Sequence, residues 1–359
     1  MKKLFLLMFS FLLLLCGCSK RHSFIKADSA KNLKVGFVFN GSINDNGFCQ
    51  AKNAGRFELE KYGIKTLYAE NVPETEVSKA VFVELVKQGC KIIFAVGEGY
   101  KEYVFNIAEK FPGVKFIYDG GRETSYNVSC FSEKMYEGRY LAGIVAGLNT
   151  TSNKIGYVAA FNTPEYIRSI NAFTFGVKAV NPDAEVYVRW INSGYNPMEE
   201  NYKAEELVNF GCDLLVQHVN SVNLHYFAKS KGVYLIGNNY PVTKIAPDYY
   251  LTSVCVDWNS FVIEQVKLYV EGKWQSGFYW KGMNSGCVYL SRLSEHCAPG
   301  SAGKVEEAEN KILSGQLNIF KGPLYDDRGF LRLKENEAMN DDALWNMDWF
   351  VAGVKVYRF

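Results

Sequence analysis

What this sequence lacks narrows its function before anything it contains. Charge of one sign is missing: 40 basic residues stand against 38 acidic ones, a formal net charge of +2. No run of lysine or arginine with interleaved aromatics offers a surface to nucleic acid. A Gly-x-x-x-x-Gly-Lys-Ser/Thr phosphate loop is absent, and so is a Gly-x-Ser-x-Gly nucleophile elbow. Gly97-Glu98-Gly99 comes nearest to a dinucleotide fingerprint, but the third glycine is missing and Glu98 would repel a phosphate. It reads as a close-approach turn. No Asp-x-Asp-x-x-Asp-Asp cluster could hold calcium, and the four histidines, His22, His218, His225 and His296, lack metal-ligand spacing. Neither a metal nor a cofactor is expected. Cys-x-x-Cys is absent too. Seven cysteines follow Cys18, an odd number, and several sit inside apolar runs. They read as buried free thiols acting as small hydrophobes, not as a disulfide framework.

What is present begins with a leader. Lys2 and Lys3 precede an apolar run from Leu4 to Leu15, too short to cross a bilayer as a helix and shaped like a signal-peptide core. Leu15-Cys16-Gly17-Cys18 places a small residue just before Cys18 and an apolar one three before it, a pattern that resembles a bacterial lipobox. The expectation is a signal peptide over 1–17, lipidation of Cys18, and a polar tether over 18–32. Ordinary secretion with cleavage nearby is the alternative. The expected location is the cell envelope, with the protein lipid-anchored and facing the periplasm or the exterior.

About 340 residues then remain, long for one core and suited to two lobes. The stretch from Lys34 to Arg56 organises them. An apolar run rich in Val and Phe reads as a fully buried strand, a polar glycine-containing loop follows from Asn40 to Gly47, and helical spacing resumes at Ala51, Ala54 and Phe57. In an open parallel sheet, ligands bind on loops at the carboxyl ends of strands. This loop offers Asn44 and Asp45 as hydrogen-bonding groups and Phe48 as a flat apolar surface; the alternative is a capped turn with Phe48 in the core.

Short, continuously apolar strands then alternate with amphipathic helices: Lys65–Ala69, Ile92–Val96 and Lys115–Asp119, with helices near 74–88 and after Tyr100. The alternation restarts at Lys154–Ala160, Glu185–Trp190, Leu214–Gln217 and Tyr234–Gly237, with helices near 165–180, 199–210 and up to Lys231. The class is α/β, with two doubly wound parallel-sheet lobes and a cleft between them. Groups at the strand ends, among them Asp119, His218 and Asn239, suit a flat polar molecule. Paired aspartates, Asp45 and Asp119, could instead serve a hydrolase.

Longer motifs sharpen this. Tyr136-Glu-Gly-Arg-Tyr-Leu-Ala-Gly-Ile-Val-Ala-Gly147, Asn153-Lys-Ile-Gly-Tyr-Val-Ala-Ala-Phe161 and Pro164-Glu-Tyr-Ile-Arg-Ser-Ile-Asn-Ala-Phe173 resemble the basic membrane protein family. Lys231-Gly-Val-Tyr, Leu251-Thr-Ser-Val, Gly322-Pro-Leu and Asn346-Met-Asp-Trp-Phe-Val-Ala-Gly353 extend the likeness to the carboxyl end. The resemblance implies a substrate-binding lipoprotein of an ABC importer, of which purine nucleoside receptors are the known type, and not an enzyme. It implies a type I periplasmic binding protein fold with three crossovers, near 127–131, 251–258 and 279–288. Lobe 1 is then 33–127 plus 259–278, lobe 2 is 128–258 plus 279–300, and 301–359 is a helix and extension packing on both.

By the same resemblance, Asp45 and Phe48 fall at the first-loop acid and aromatic, and Asp119 where relatives bond the base. Tyr100, Gln217-His218 and Trp258 match a branch of adenine binders. Relatives carry an aromatic before the Asn-Pro of the second-lobe loop; here Gly194 takes that place, so Tyr195 is the substitute, with Trp190 behind it. Receptors of nucleosides hold ribose with a carboxylate after the late second-lobe strand and a lysine in the next crossover strand. Here an amide or Pro241 replaces the acid, and Cys255 or Val256 replaces the lysine. The expected protein is therefore a monomer that closes two lobes on a purine, a free base rather than its nucleoside, and hands it to membrane permease subunits. A nucleoside-cleaving hydrolase and a ligand-sensing lipoprotein are the rival functions.

Overall fold

A computed structural model describes residues 32–356; the leader, Cys18 and His22 lie outside the described residues. In chain order the strands begin β1 (Lys34–Phe39), β2 (Lys65–Ala69), β3 (Cys90–Val96), β4 (Lys115–Asp119), β5 (Val128–Glu133), β6 (Lys154–Ala159), β7 (Glu185–Trp190) and β8 (Leu214–His218). They continue with β9 (Tyr234–Asn239), β10 (Tyr250–Val256), β11 (Phe278–Lys281), β12 (Val288–Leu290), β13 (Leu324–Tyr325), β14 (Leu331–Leu333) and β15 (Val354–Val356). The first sheet runs β11-β5-β4-β3-β1-β2 and the second β12-β10-β9-β8-β6-β7-β15. Every pairing is parallel except β10 with β12 in the second sheet and β13 with β14, which form a separate hairpin.

Helices cover both faces of the central strands, which is why those strands carry unbroken apolar runs: every residue of β10 is buried, as are five of six in β1. The edge strand β2 is only partly covered, with Lys65 and Tyr68 exposed. The cores of the two sheets share one plan. In the first, β1 lies between β2 and β3; in the second, β6 lies between β7 and β8. The strand order therefore reverses beside β1 and again beside β6, and each reversal opens a crevice at the carboxyl ends of the strands.

The long motif Tyr136–Gly147 has a packing explanation. It forms most of α4 (Met135–Asn149), which crosses α5 (Pro164–Lys178) at very short range. A Cβ at Gly143 would stand 2.0 Å from the Phe173 carbonyl oxygen, and one at Gly176 would stand 1.9 Å from that of Tyr140. Only glycine lets the two backbones meet. The helices before them are α1 (Phe48–Lys61), α2 (Ser78–Lys87) and α3 (Lys101–Lys110). Those after are α6 (Pro197–Asn209), α7 (Asn223–Lys231), α8 (Asn259–Val270), α9 (Ser301–Leu313) and α10 (Asp341–Trp345).

The lobe boundary differs from expectation at two strands. β5, assigned from the sequence to the second lobe, pairs with β4 and β11 in the first sheet. The first crossover is therefore at Lys134, between β5 and α4. Residues 279–281 likewise belong to the first sheet, as part of β11. The carboxyl-terminal segment bridges the lobes near these crossovers. Arg122 pairs with Asp342 at 2.6 Å, Lys134 with Asp341 at 3.0 Å, and Arg168 Nη1 donates to the Leu344 carbonyl at 2.6 Å. Trp345 meets Phe278 and Trp280 edge-on. All seven described cysteines are free, six of them buried, so they act as apolar packing groups.

Candidate functional site

The loop after β1 is built around Asp45. Its carboxylate accepts from the backbone N–H groups of Gly47 and Cys49, both at 2.8 Å, and of Gln50 at 3.0 Å. These are the donors that α1 leaves unpaired at its start, so Asp45 fixes where the helix begins. That places Phe48 at the first turn, facing the second lobe. Lys52, one turn further, lies under it: Nζ is 4.1 Å from the Phe48 ring centroid and 4.3 Å from that of Trp258. The same ammonium pairs with Asp119 at the end of β4 and, at 2.9 Å, with Glu133 at the end of β5. Lys52 is 1% exposed. Burial pushes the Asp119 carboxyl up to about 7, while Lys52 pulls it down.

Phe161, Tyr166, His218, Asn220, Asn238, Asn239 and Val256 face Phe48 from the second lobe. Arg139, buried on α4, donates to the Gln217 carbonyl and to Asn238 Oδ1, and so fixes the amide of Asn238. His218 Nδ1 bonds the Tyr157 hydroxyl at 2.9 Å, and the Tyr166 ring lies 4.3 Å from its centroid. Burial, with the Arg139 charge, holds His218 well below the usual histidine range, so it stays neutral.

These walls enclose a cavity of about 230 Å³. A second, of about 210 Å³, is reached past Phe48, Glu98 and Glu165 and is lined also by Asp119, Arg168 and Trp345. Both are small beside the roughly 300–1,000 Å³ of sites for drug-sized ligands, and so suit a compact solute. A wider outer cavity, about 830 Å³, opens on the other side of Phe48 between Asn44, Asp45, Tyr195, Asn220 and Tyr226.

The candidates from the sequence divide accordingly. Phe48, His218 and Asn239 line the inner cavity and Asp119 the adjoining one. Asn44, Asp45 and Tyr195 line only the outer cavity; Tyr195 is 66% exposed. Trp190 packs towards Phe350. The second-lobe aromatics at the inner cavity are Phe161 and Tyr166 instead. Tyr100 is a core residue: its ring lies edge-on to Phe82 and its hydroxyl donates to the Val72 carbonyl at 2.6 Å. Trp258 is fully buried behind Lys52, with Nε1 donating to Glu133 at 2.6 Å. As a hydrolytic pair Asp45 and Asp119 are poorly placed, one held by three backbone donors and the other by a lysine.

Sequence reasoning passes over Lys52, Glu133, Glu165, Phe161 and Tyr166. Phe161 follows β6 and Tyr166 opens α5, both strand-to-helix positions, so the signal was present. Lys52 and Glu133 carried none, since a charged residue ordinarily reads as surface.

Residues 32–321 match the family described as "ABC transporter substrate-binding protein PnrA-like". The chain belongs to the Bmp family. Bmp proteins are solute-binding components of ABC transporters and bind without catalysis, which implies a small-molecule ligand and permease partners. A purine-binding protein of Brucella abortus is 34% identical over 91% of this chain and 94% of its own length. A putative ABC transporter glucose-binding protein of Haloferax volcanii is 31% identical over 90% and 81%. Basic membrane protein B of Borreliella afzelii is 21% identical over 87% and 94%. Among solved structures, a solute-binding protein from Conexibacter woesei superposes with a TM-score of 0.69 at 20% identity, covering 80% of this chain and 98% of that one. A Corynebacterium glutamicum repressor of the LacI family gives 0.53 at 13%, covering 73% and 98%. The fold is thus that of periplasmic binding proteins and LacI-type regulators. No helix among the described residues is long and apolar enough to cross a membrane.

Proposed function

We propose that this Bmp-family protein captures a free purine base between its lobes and delivers it to a membrane permease, held at the membrane by a lipid on Cys18. The observation that carries the purine reading is the opposed pair of aromatic walls, Phe48 on one lobe and Phe161 with Tyr166 on the other, around a compact cavity rimmed by the amides of Asn220, Asn238 and Asn239. Aromatic faces take up a planar ring, and side-chain amides satisfy both ring nitrogens and exocyclic groups. The Brucella abortus relative supports the same ligand class. Calorimetry with adenine, guanine, hypoxanthine, their nucleosides and glucose tests it. Binding of glucose with no heat from any purine would overturn the reading.

Phe48 gives a direct check. Base–aromatic stacking contributes roughly 1–3 kcal/mol per base. Phe48→Ala is expected to weaken binding of the preferred base about tenfold or more with little change in unfolding midpoint, because the ring is only partly buried. A large loss of stability with affinity intact would make Phe48 a packing residue.

For anchoring, Cys18→Ala is expected to abolish incorporation of labelled fatty acid and to release the protein or leave it unprocessed. Two acyl chains anchor stably where one is marginal. Label entering the variant undiminished would reject Cys18.

A further inference from the structure

Stacking and amide contacts leave two charged groups of the cleft unused. Glu98 stands just beyond β3 in the first lobe, and Glu165 lies in the first turn of α5 in the second. Both line both inner cavities. Glu98 is laid against the backbone at the end of β4, so that a Cβ on Gly120 would come within 2.4 Å of its Cγ. From there its carboxyl group and that of Glu165 face the same two cavities. Two carboxyl groups that meet there can hydrogen-bond each other only with a proton between them.

The surroundings do not neutralise the pair. Facing it in the second cavity are Asp119, Glu133, Lys52 and Arg168, so four carboxyl side chains meet two cations. Lys52 is held by Asp119 and Glu133, and Arg168 gives Nη1 to the Leu344 carbonyl. Glu74, the remaining acid at this end of the cleft, accepts from the Gly99 N–H at 2.9 Å. Closing the lobes therefore brings together two carboxylates whose nearby cations, Lys52 for Glu98 and Arg168 for Glu165, are each shared with another partner.

We propose that Glu98 and Glu165 are specificity-determining residues that read the hydrogen-bonding edge of the ligand, with one solvent proton standing in wherever that edge offers an acceptor. This rests on the purine reading above. Guanine presents a ring N–H beside an exocyclic amine, donors only, and satisfies the pair in its ionised form. Adenine and hypoxanthine each present a donor beside an acceptor. The acceptor needs a carboxyl O–H, so the protein takes up one proton from solvent as it closes on either base, and that proton resides on the pair.

The sign of the pH dependence follows. A free glutamate side chain titrates at about pH 4.3. Together, repulsion between the two groups and burial raise Glu98 well above it. Between those limits closure on adenine or hypoxanthine consumes a proton, so affinity falls as pH rises, by up to about tenfold per pH unit. Guanine affinity stays flat over the same range.

Calorimetry in buffers of different ionisation enthalpy counts the protons taken up with each base. Uptake of about one proton with hypoxanthine and none with guanine is expected. In Glu98→Gln the amide supplies a permanent donor and acceptor. The pH dependence for hypoxanthine should vanish, while guanine, deprived of a charged acceptor, binds about tenfold more weakly or worse. Equal proton uptake for both bases, or an unchanged hypoxanthine profile in Glu98→Gln, overturns the proposal. If no purine binds the wild type, the ligand reading fails and the pair is judged on the protein alone. A component of the infrared carbonyl band of protonated carboxyls should then be present in the wild type at neutral pH and missing from both Glu98→Gln and Glu165→Gln, beside the Asp119 contribution that all three share; identical bands in the wild type and the variants reject proton sharing.

Discussion

Replacing Lys52 with alanine is expected to lower the free energy of unfolding by about 3–5 kcal/mol, the usual cost of stranding a buried charge by removing its partner. Lys52 is the cation that joins Asp119 to Glu133, and it is 1% exposed. Without it two carboxyl groups remain side by side beneath Phe48, in a place where burial already pushes Asp119 up to about 7 with the lysine present. Asp119 must then bind a proton for the protein to stay folded, while the unfolded chain ionises it in the ordinary range. The penalty therefore grows as pH rises above that range and shrinks on acidification. Urea unfolding at neutral and mildly acidic pH measures both. Lys52→Met, which restores the apolar stem, should be nearly as costly at neutral pH, since the loss is of charge and not of volume. A loss under about 1 kcal/mol, insensitive to pH, would mean that water reaches the three groups and the pairing behaves like one at the surface.

Selection of base over nucleoside should be the largest effect on binding, on the order of a hundredfold or more. A nucleoside receptor needs charged groups for the ribose hydroxyls, each contributing about 1.5–3 kcal/mol, and two of them roughly 3–6 kcal/mol. In this chain the wall at the ends of β9 and β10 offers Asn238, Asn239 and Val256 to the inner cavity, and Cys255 is buried away from it. Asn239 Nδ2 is already turned to Asn220 Oδ1 at 3.4 Å. Neutral amides hold hydroxyls more weakly than a carboxylate and a lysine would. Calorimetry comparing each base with its nucleoside decides the matter. Tighter binding of the nucleosides would mean that ribose is held elsewhere, with the outer cavity beside Asn44 and Tyr195 the place to look.

The two α/β units could be read from unbroken apolar runs because strands covered on both faces have no polar alternation to disguise them. The place of Phe48 on the cavity wall could be read because it follows a polar loop at the carboxyl end of a buried strand. Misreadings cluster where a residue is polar and buried, or aromatic and not at the cavity. Tyr100 sits on a strand-to-helix turn as a ligand residue would, yet it spends its hydroxyl on the Val72 carbonyl and its ring on the core. Asp45 has the position of a ligand group and the work of a helix cap. β5 was assigned to the wrong lobe because a crossover next to a strand leaves no local mark; only pairing with β4 and β11 decides it. Lys52 was illegible for the simplest reason. Helical spacing shows which face a residue occupies, and a lysine facing inward makes sense only once Asp119 and Glu133, from two distant strands, are known to be there.

The order in which the strands enter the two sheets also governs when either lobe can exist. The first sheet takes five strands from the early chain and then waits for β11. The second is flanked by β12 on one side and, on the other, by β15 beside β7. During synthesis from the amino end, each half is therefore left with an unfilled sheet margin until late in the chain. Val354–Val356 comes last of all and closes the margin that β7 would otherwise offer to a neighbouring molecule. The first sheet has all its strands once β11 has been made, whereas the second waits for β15, so the second lobe keeps an unpaired strand margin the longer of the two.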